Sequence, residues 1–146
     1  MELPRYEIAF RKQYEPLVLN GSLTVVFRPS NRIFPNRRGY ILGETISARI
    51  IEKIGCDETG FPPIFNDRKI GVTVSSIRVM NLNELTAKDF EGSSPDVHDI
   101  HSLERHLENI YKKSMDFFDR KVTKIELSYL TNPLLGNKLE HESDAL

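Results

Sequence analysis

Apolar residues return at every second position in two separate stretches, Ile46, Ala48, Ile50 and Ile70, Val72, Val74. A period of two puts such side chains on one face of a strand and their polar neighbours on the other, so each stretch requires a sheet to join. The first run changes phase at Ile51 and Ile54, which predicts a strand over 44–54 with a bulge or a fully buried end. The second changes face near Ser75 and Ser76 and resumes at Ile77 and Val79, predicting a long bent strand over 69–80. Thr123, Ile125, Leu127 and Tyr129, interleaved with Val122, Lys124, Glu126 and Ser128, predict a half-buried closing strand over 122–130. Tyr6 to Phe10 and Leu23 to Phe27 predict two shorter strands, the latter dense in β-branched and aromatic side chains.

Helical spacing is confined to a few places. Tyr14, Leu17 and Val18 recur three and one apart, with Pro16 limiting the helix and Asn20-Gly21 providing its exit. Leu103, Leu107, Ile110 and Tyr111 form the apolar face of a stronger helix over 102–113, with Ser102 as its cap. Thr86 to Glu91 is long enough for one turn. Two prolines, Asn31, Asn36 and Gly39 break any period between Arg28 and Leu42, which reads as a long, exposed, mobile loop, and Gly55 to Asp67 reads as a turn-rich connector. Strands and helices intermix, so the fold class is α+β, with residues 1–130 as a single domain and 131–146 as a polar acidic tail.

Length and composition agree with one soluble core: 146 residues, 39% hydrophobic and 28% charged. The net charge of −1 excludes general attraction to polyanions. Its distribution is uneven, however, with nine Lys and Arg against five Asp and Glu in residues 1–55, and two against seven in 82–109. The single Cys56 excludes an internal disulfide and fits a cytoplasmic location, and no apolar run is long enough for a membrane span. Residues 1–5 lack the apolar core of a signal peptide.

Arg28, Arg32, Arg37 and Arg38 fall within eleven positions that contain no acidic residue. A guanidinium is permanently charged and its planar fork of donors matches phosphate geometry, so the segment is a candidate polyanion site. Tyr40 or Phe34 in the same loop could stack a base. The plainer reading makes Arg32, Arg37 and Arg38 a solvated loop, pairs Arg28 with a carboxylate such as Glu44 and packs Phe34 in the core.

Gly21 and Arg28 match the first and last positions of the Gly-x-Lys-x-x-Glu-x-Arg motif of ASCH domains, although Leu23 and Val26 replace the lysine and glutamate. Gly43-Glu44 resembles the Gly-Asp pair before that family's next strand. The segment Leu85-Thr86-x-x-Asp89-Phe90-Glu91-Gly92 resembles its acidic segment, and Tyr111 sits like the tyrosine ending its last helix. Over about residues 5–130 the chain thus resembles an ASCH domain of the PUA-like superfamily. The resemblance implies a small mixed β-barrel with flanking helices and a cleft that binds RNA or a nucleotide. The candidate ligand-binding residues are Gly21, Ser22, Thr24, Arg28, Arg32, Arg37, Arg38 and Tyr40, and no cofactor is implied.

Some members of that family are hydrolases. The resemblance implies that an amidohydrolase of this type needs a lysine and a threonine where this chain carries Leu23 and Val26, and a glutamate where it carries Ser93. Leucine accepts no proton and valine has no hydroxyl, so no catalytic residue is assigned. Two alternatives stay open. One is a hydrolase acting on a modified nucleoside or RNA, through Ser22, Thr24 and Glu91 in a slipped register or through His98, His101 and His106. The other is a protein-interaction module using the acidic 84–109 region or Met115, Phe117 and Phe118, for which a core role is the plainer reading. No metal ligand set is assigned, because His98 and His101 precede the expected start of their helix. Cys56, beside Asp57 and Glu58, is not in surroundings that favour a thiolate.

Overall fold

A computed structural model describes residues 6–56 and 59–130. The expected acidic tail, the first five residues and the two acidic neighbours of Cys56 lie outside the described residues. Five strands form one mixed sheet: β1 (Glu7–Arg11), β2 (Val25–Pro29), β3 (Thr45–Lys53), β4 (Ile64–Asn81) and β5 (Lys121–Tyr129), in the order β1-β3-β4-β5-β2. Two helices, α1 (Glu15–Leu19) and α2 (Ile100–Tyr111), and four 3-10 turns complete the described chain. The expected α+β class, with a small mixed barrel-type sheet and flanking helices, is the one the chain adopts.

Two compact units are interleaved along the sequence. Among the described residues, the first comprises 6–22, 45–56, 59–73 and 128–130. Here β1 runs parallel to β3, pairing Ile8 with Ala48 and Phe10 with Ile50. Both strands bury alternate residues, which is the physical content of their period-two sequence: Ile8, Phe10, Ile46, Ala48 and Ile50 are buried, as are Val72 of β4 and Val18 of α1. Register shifts between β3 and β4 fall between Arg49 and Ile51 and between Ile51 and Lys53, at the change of phase expected there. Pro16 does not limit α1. It occupies the first turn, where a missing N–H costs nothing, and Gly21 (φ +75°) ends the segment as expected. β4 begins at Ile64, directly after Pro62-Pro63, so four residues expected to be connector are strand. The polar face carries ion pairs Arg49–Glu7 at 2.9 Å, Arg68–Glu15 at 3.0 Å and Lys12–Glu52 at 2.7 Å.

The second unit comprises Leu23–Glu44 and Val74–Leu127. β2 is antiparallel to β5, with Phe27 opposite Lys124 and Arg28 opposite Thr123. Opposed residues share a face, so Phe27 and Lys124 lie on one side of the pair and Arg28 and Thr123 on the other. On the Phe27 side, Val25, Leu82, Leu85, Phe90, Leu103, Leu107, Met115 and Val122 form the core, and the Phe27 and Phe90 rings are 5.3 Å apart. α2 places Leu103 and Leu107 in this core. Its cap is Asp99 and not Ser102. Asp99 accepts the Ser102 N–H at 2.7 Å while the Ser102 hydroxyl accepts the Asp99 N–H at 3.0 Å, so Ser102 is the third residue of a capping box. Buried Lys124 donates to buried Asp89 at 3.1 Å, and Asp89 also accepts from Thr86 N–H at 2.8 Å. Met115 is core as expected, whereas Phe117 is exposed at 65%.

Candidate functional site

The candidate residues do not all fall in one unit. Gly21 and Ser22 belong to the first, where Ser22 N–H donates to Leu17 O at 3.0 Å and to Asn20 Oδ1 at 2.9 Å and so closes the helix exit. Thr24, Arg28, Arg32, Arg37, Arg38 and Tyr40 belong to the second. Thr24 is a backbone junction. Its N–H and that of Val25 both donate to Gly92 O, at 2.9 and 3.1 Å, and its carbonyl accepts from Leu127 N–H at 2.8 Å. Gly92 has φ +89°, and a side chain there would strike the Thr24 hydroxyl, so glycine is required on both conformational and steric grounds.

Arg28 lies near the end of β2 on the Thr123 face, its Nη1 donating to Phe27 O at 3.2 Å. Two residues beyond it the chain turns at Ser30 (φ +71°), and buried Thr123 fixes that turn. The Thr123 hydroxyl donates to Ser30 O at 2.7 Å and accepts Arg32 N–H at 2.8 Å. Arg32 is thereby held with its guanidinium against Tyr111 in the last turn of α2. Nη2 lies 3.5 Å from the phenol oxygen, and Cζ lies 5.9 Å from the ring centroid. Arg32 is half-buried and has no ion pair with a carboxylate among the described residues.

This is an electropositive setting with a physical signature. Burial lowers the pKa of Arg32, and the charge of Arg28 adds to that effect. Burial is also the largest influence on Tyr111 and pushes its phenol upward, yet Arg28, Arg32 and Arg38, together with the hydrogen bond from Arg32, leave it below its ordinary value. Tyr40 is raised by burial, with Arg28 and Arg32 opposing and Tyr111 and Glu44 reinforcing the rise. Arg28, Arg32, Arg38, Tyr40 and Tyr111 therefore form one electrostatic cluster, with Glu44 as the carboxylate at its edge.

The arginine segment is not the mobile loop that its prolines and glycine suggest. Phe34 N–H donates to Tyr40 O at 3.0 Å, Tyr40 N–H to Arg32 O at 2.8 Å, and Gly39 N–H to Asn36 O at 2.9 Å. The Asn36 side chain adds a bond to Ile33 O at 2.7 Å. Arg37 and Arg38 project from this tied turn and are exposed. Tyr40 is 6% exposed, so its ring offers no open stacking face, while Phe34 is 46% exposed and not a core residue. Of the two aromatic side chains considered for stacking, the solvent reaches Phe34.

Leu23 and Val26 are buried apolar residues. His98 and His101 are exposed, while His106 Nδ1 lies 3.9 Å from an Asp96 carboxylate oxygen. No group of three or more His, Cys, Asp or Glu suited to a metal ion occurs among the described residues. Two residues that hold Arg32 are not among the candidate ligand-binding residues. In the sequence Thr123 is one more strand residue, with nothing local to mark its hydroxyl. Tyr111 was assigned to an apolar face, although a phenol at the last position of an amphipathic helix, followed by Lys112 and Lys113, carries a polar tip that needs a partner.

No family model matches the chain, and no curated protein does. In structure it is similar to the crystal structure of hypothetical protein PH0355, with a TM-score of 0.50 and 20% identity over 85% of this chain and 97% of that one. It is also similar to the solution NMR structure of protein PF0455 from Pyrococcus furiosus, with a TM-score of 0.47 and 16% identity over 86% of this chain and 96% of that one. The likeness to PH0355 supports the fold alone. No helix among the described residues is long and apolar enough to cross a membrane.

Proposed function

We propose that this chain is a non-catalytic RNA- or nucleotide-binding domain of ASCH type in the PUA-like superfamily. The observation that carries the reading is Arg32: a half-buried guanidinium, fixed through its backbone by Thr123, that meets a tyrosine and no carboxylate among the described residues. Holding a charge in such a place is costly without an anion, and phosphate matches its fork of donors. Exposed Arg37 and Arg38 add phosphate contacts from the tied turn, and Phe34 adds a surface on which a base can stack. Gly92 O, which accepts from Thr24 and Val25, joins two of the segments on which the ASCH resemblance rests. The non-catalytic assignment follows from Leu23 and Val26, apolar where the family's amidohydrolases need a lysine and a threonine.

Fluorescence anisotropy with a short labelled single-stranded RNA tests this. Binding should weaken with salt, and each phosphate contact removed should reduce the slope of log K against log salt by about 0.7. Arg37→Ala/Arg38→Ala should therefore flatten the slope by roughly 1.4. Salt-independent binding, or an unchanged slope in the double variant, defeats the proposal.

A further inference from the structure

Arg28, Arg32, Arg38 and Tyr111 also bear on the form of the anion. We infer that this cluster prefers a terminal phosphate, the phosphomonoester at the end of a nucleotide or RNA strand, over an internal phosphodiester. The inference rests on the nucleic-acid reading above and specifies its ligand.

Charge is the first ground. The three guanidiniums of Arg28, Arg32 and Arg38 act on Tyr111, and Glu44 is the carboxylate that joins Arg28 and Arg32 around Tyr40. A phosphomonoester carries about −1.5 to −2 at neutral pH, whereas each internal linkage carries a single negative charge. The more highly charged monoester is therefore attracted more strongly to these guanidiniums than the diester is.

Donor count is the second ground. A guanidinium has five N–H donors, and that of Arg32 makes a single hydrogen bond among the described residues, the 3.5 Å contact to Tyr111. Tyr111 accepts in that contact, which leaves its own hydroxyl proton for an incoming oxygen. A terminal phosphate presents three strongly accepting oxygens to such donors, and an internal linkage presents two free ones. Enclosure is the third ground. Tyr40 is buried, Arg32 and Tyr111 are half-buried, and the backbone of Arg32 is pinned at Thr123. A group bearing one nucleoside reaches half-buried donors by its free end, whereas an internal phosphate brings a nucleoside on each side.

Isothermal titration calorimetry of the full chain with three unlabelled RNAs of one sequence tests the inference, one with a 5′-phosphate, one with a 3′-phosphate and one with hydroxyls at both ends. One phosphorylated RNA should bind about tenfold more tightly than the dihydroxyl RNA, and which one it is identifies the end recognised. Arg32→Gln should abolish the advantage, and Tyr111→Phe should reduce it, because the phenol oxygen that meets Arg32 is gone. If Arg32→Gln does not fold, Arg38→Gln at an exposed position should reduce the advantage instead. Equal binding of all three RNAs overturns the terminal-phosphate preference and leaves RNA binding standing. Binding of a nucleoside monophosphate without binding of any RNA supports the preference and overturns the RNA reading. No binding of any of these ligands overturns both.

Discussion

Thr123→Val isolates the contact on which the arrangement of Arg32 depends. Threonine and valine have nearly the same shape, so the substitution removes a hydroxyl and little else. That hydroxyl makes two bonds, accepting Arg32 N–H at 2.8 Å and donating to Ser30 O at 2.7 Å, and Thr123 is fully buried. Arg32 N–H would lose its partner at a half-buried position, which costs about 1–3 kcal/mol. Ser30 is exposed, so its carbonyl can turn to water and the second loss is smaller, about 0.5–1 kcal/mol. The total is roughly 1.5–4 kcal/mol. Urea unfolding is the assay. With a slope of about 2 kcal/mol per molar, the midpoint should fall by about 0.75–2 M with the slope unchanged. Thr123→Ser keeps the hydroxyl and loses one methyl group, so it should cost only about 1 kcal/mol. The two variants should also separate in RNA binding, which Ser retains and Val weakens. A midpoint shift below about 0.3 M for Val, or equal effects of Val and Ser, would refute the role given to the hydroxyl.

A methyl group on Gly39 would come within 2.6 Å of Phe34 N, 2.7 Å of Asn36 O and 2.8 Å of Ile33 C, all backbone atoms that cannot swing aside. Gly39→Ala should destabilise by about 1–3 kcal/mol in the same urea assay and weaken RNA binding, whereas Arg37→Ala should affect binding alone. Lys124→Met removes one partner of the buried pair with Asp89 and should cost about 3–5 kcal/mol, reduced to the extent that Arg78, 3.5 Å from Asp89, takes over. Asp89 is held below the usual carboxylate pKa, first by the Thr86 N–H and then by Lys124. Its contribution is therefore present above the unfolded value near pH 4 and lost as pH falls through the lower folded value; Asp89→Asn should lack that part of the acid slope in urea midpoints measured from pH 5 downward. In a spectrophotometric tyrosine titration, Tyr111→Phe should remove a step below the ordinary phenol value, and Tyr129→Phe a late step near 12, where burial has pushed that group.

The features legible in the sequence are those whose cause is local. Ile46, Ala48 and Ile50 alternate because one face of β3 is buried, and the phase change after Ile50 is where the register shifts. The apolar spacing of α2 likewise belongs to the helix itself, but its start is ambiguous because Asp99 and Ser102 both satisfy a capping pattern and only the backbone decides which residue is the cap. The density of arginine from 28 to 38 was legible, and its order was not, since the bonds that tie this segment run between backbone groups that any sequence possesses. Tyr40 is buried beside residues that look solvated because the arginine turn folds back through its backbone. Lys124 makes the limit plainest. Its place in an alternating strand describes a residue facing water, yet it is buried because Asp89, 35 positions earlier, supplies the opposite charge. A period of two reports which side of a strand a residue occupies, and only a partner distant in sequence decides whether that side is wet. The same condition governs Arg32, which is held by Thr123 and Tyr111 and makes no ion pair with a carboxylate among the described residues, and this is why its unfilled donors carry more functional information than the arginine count.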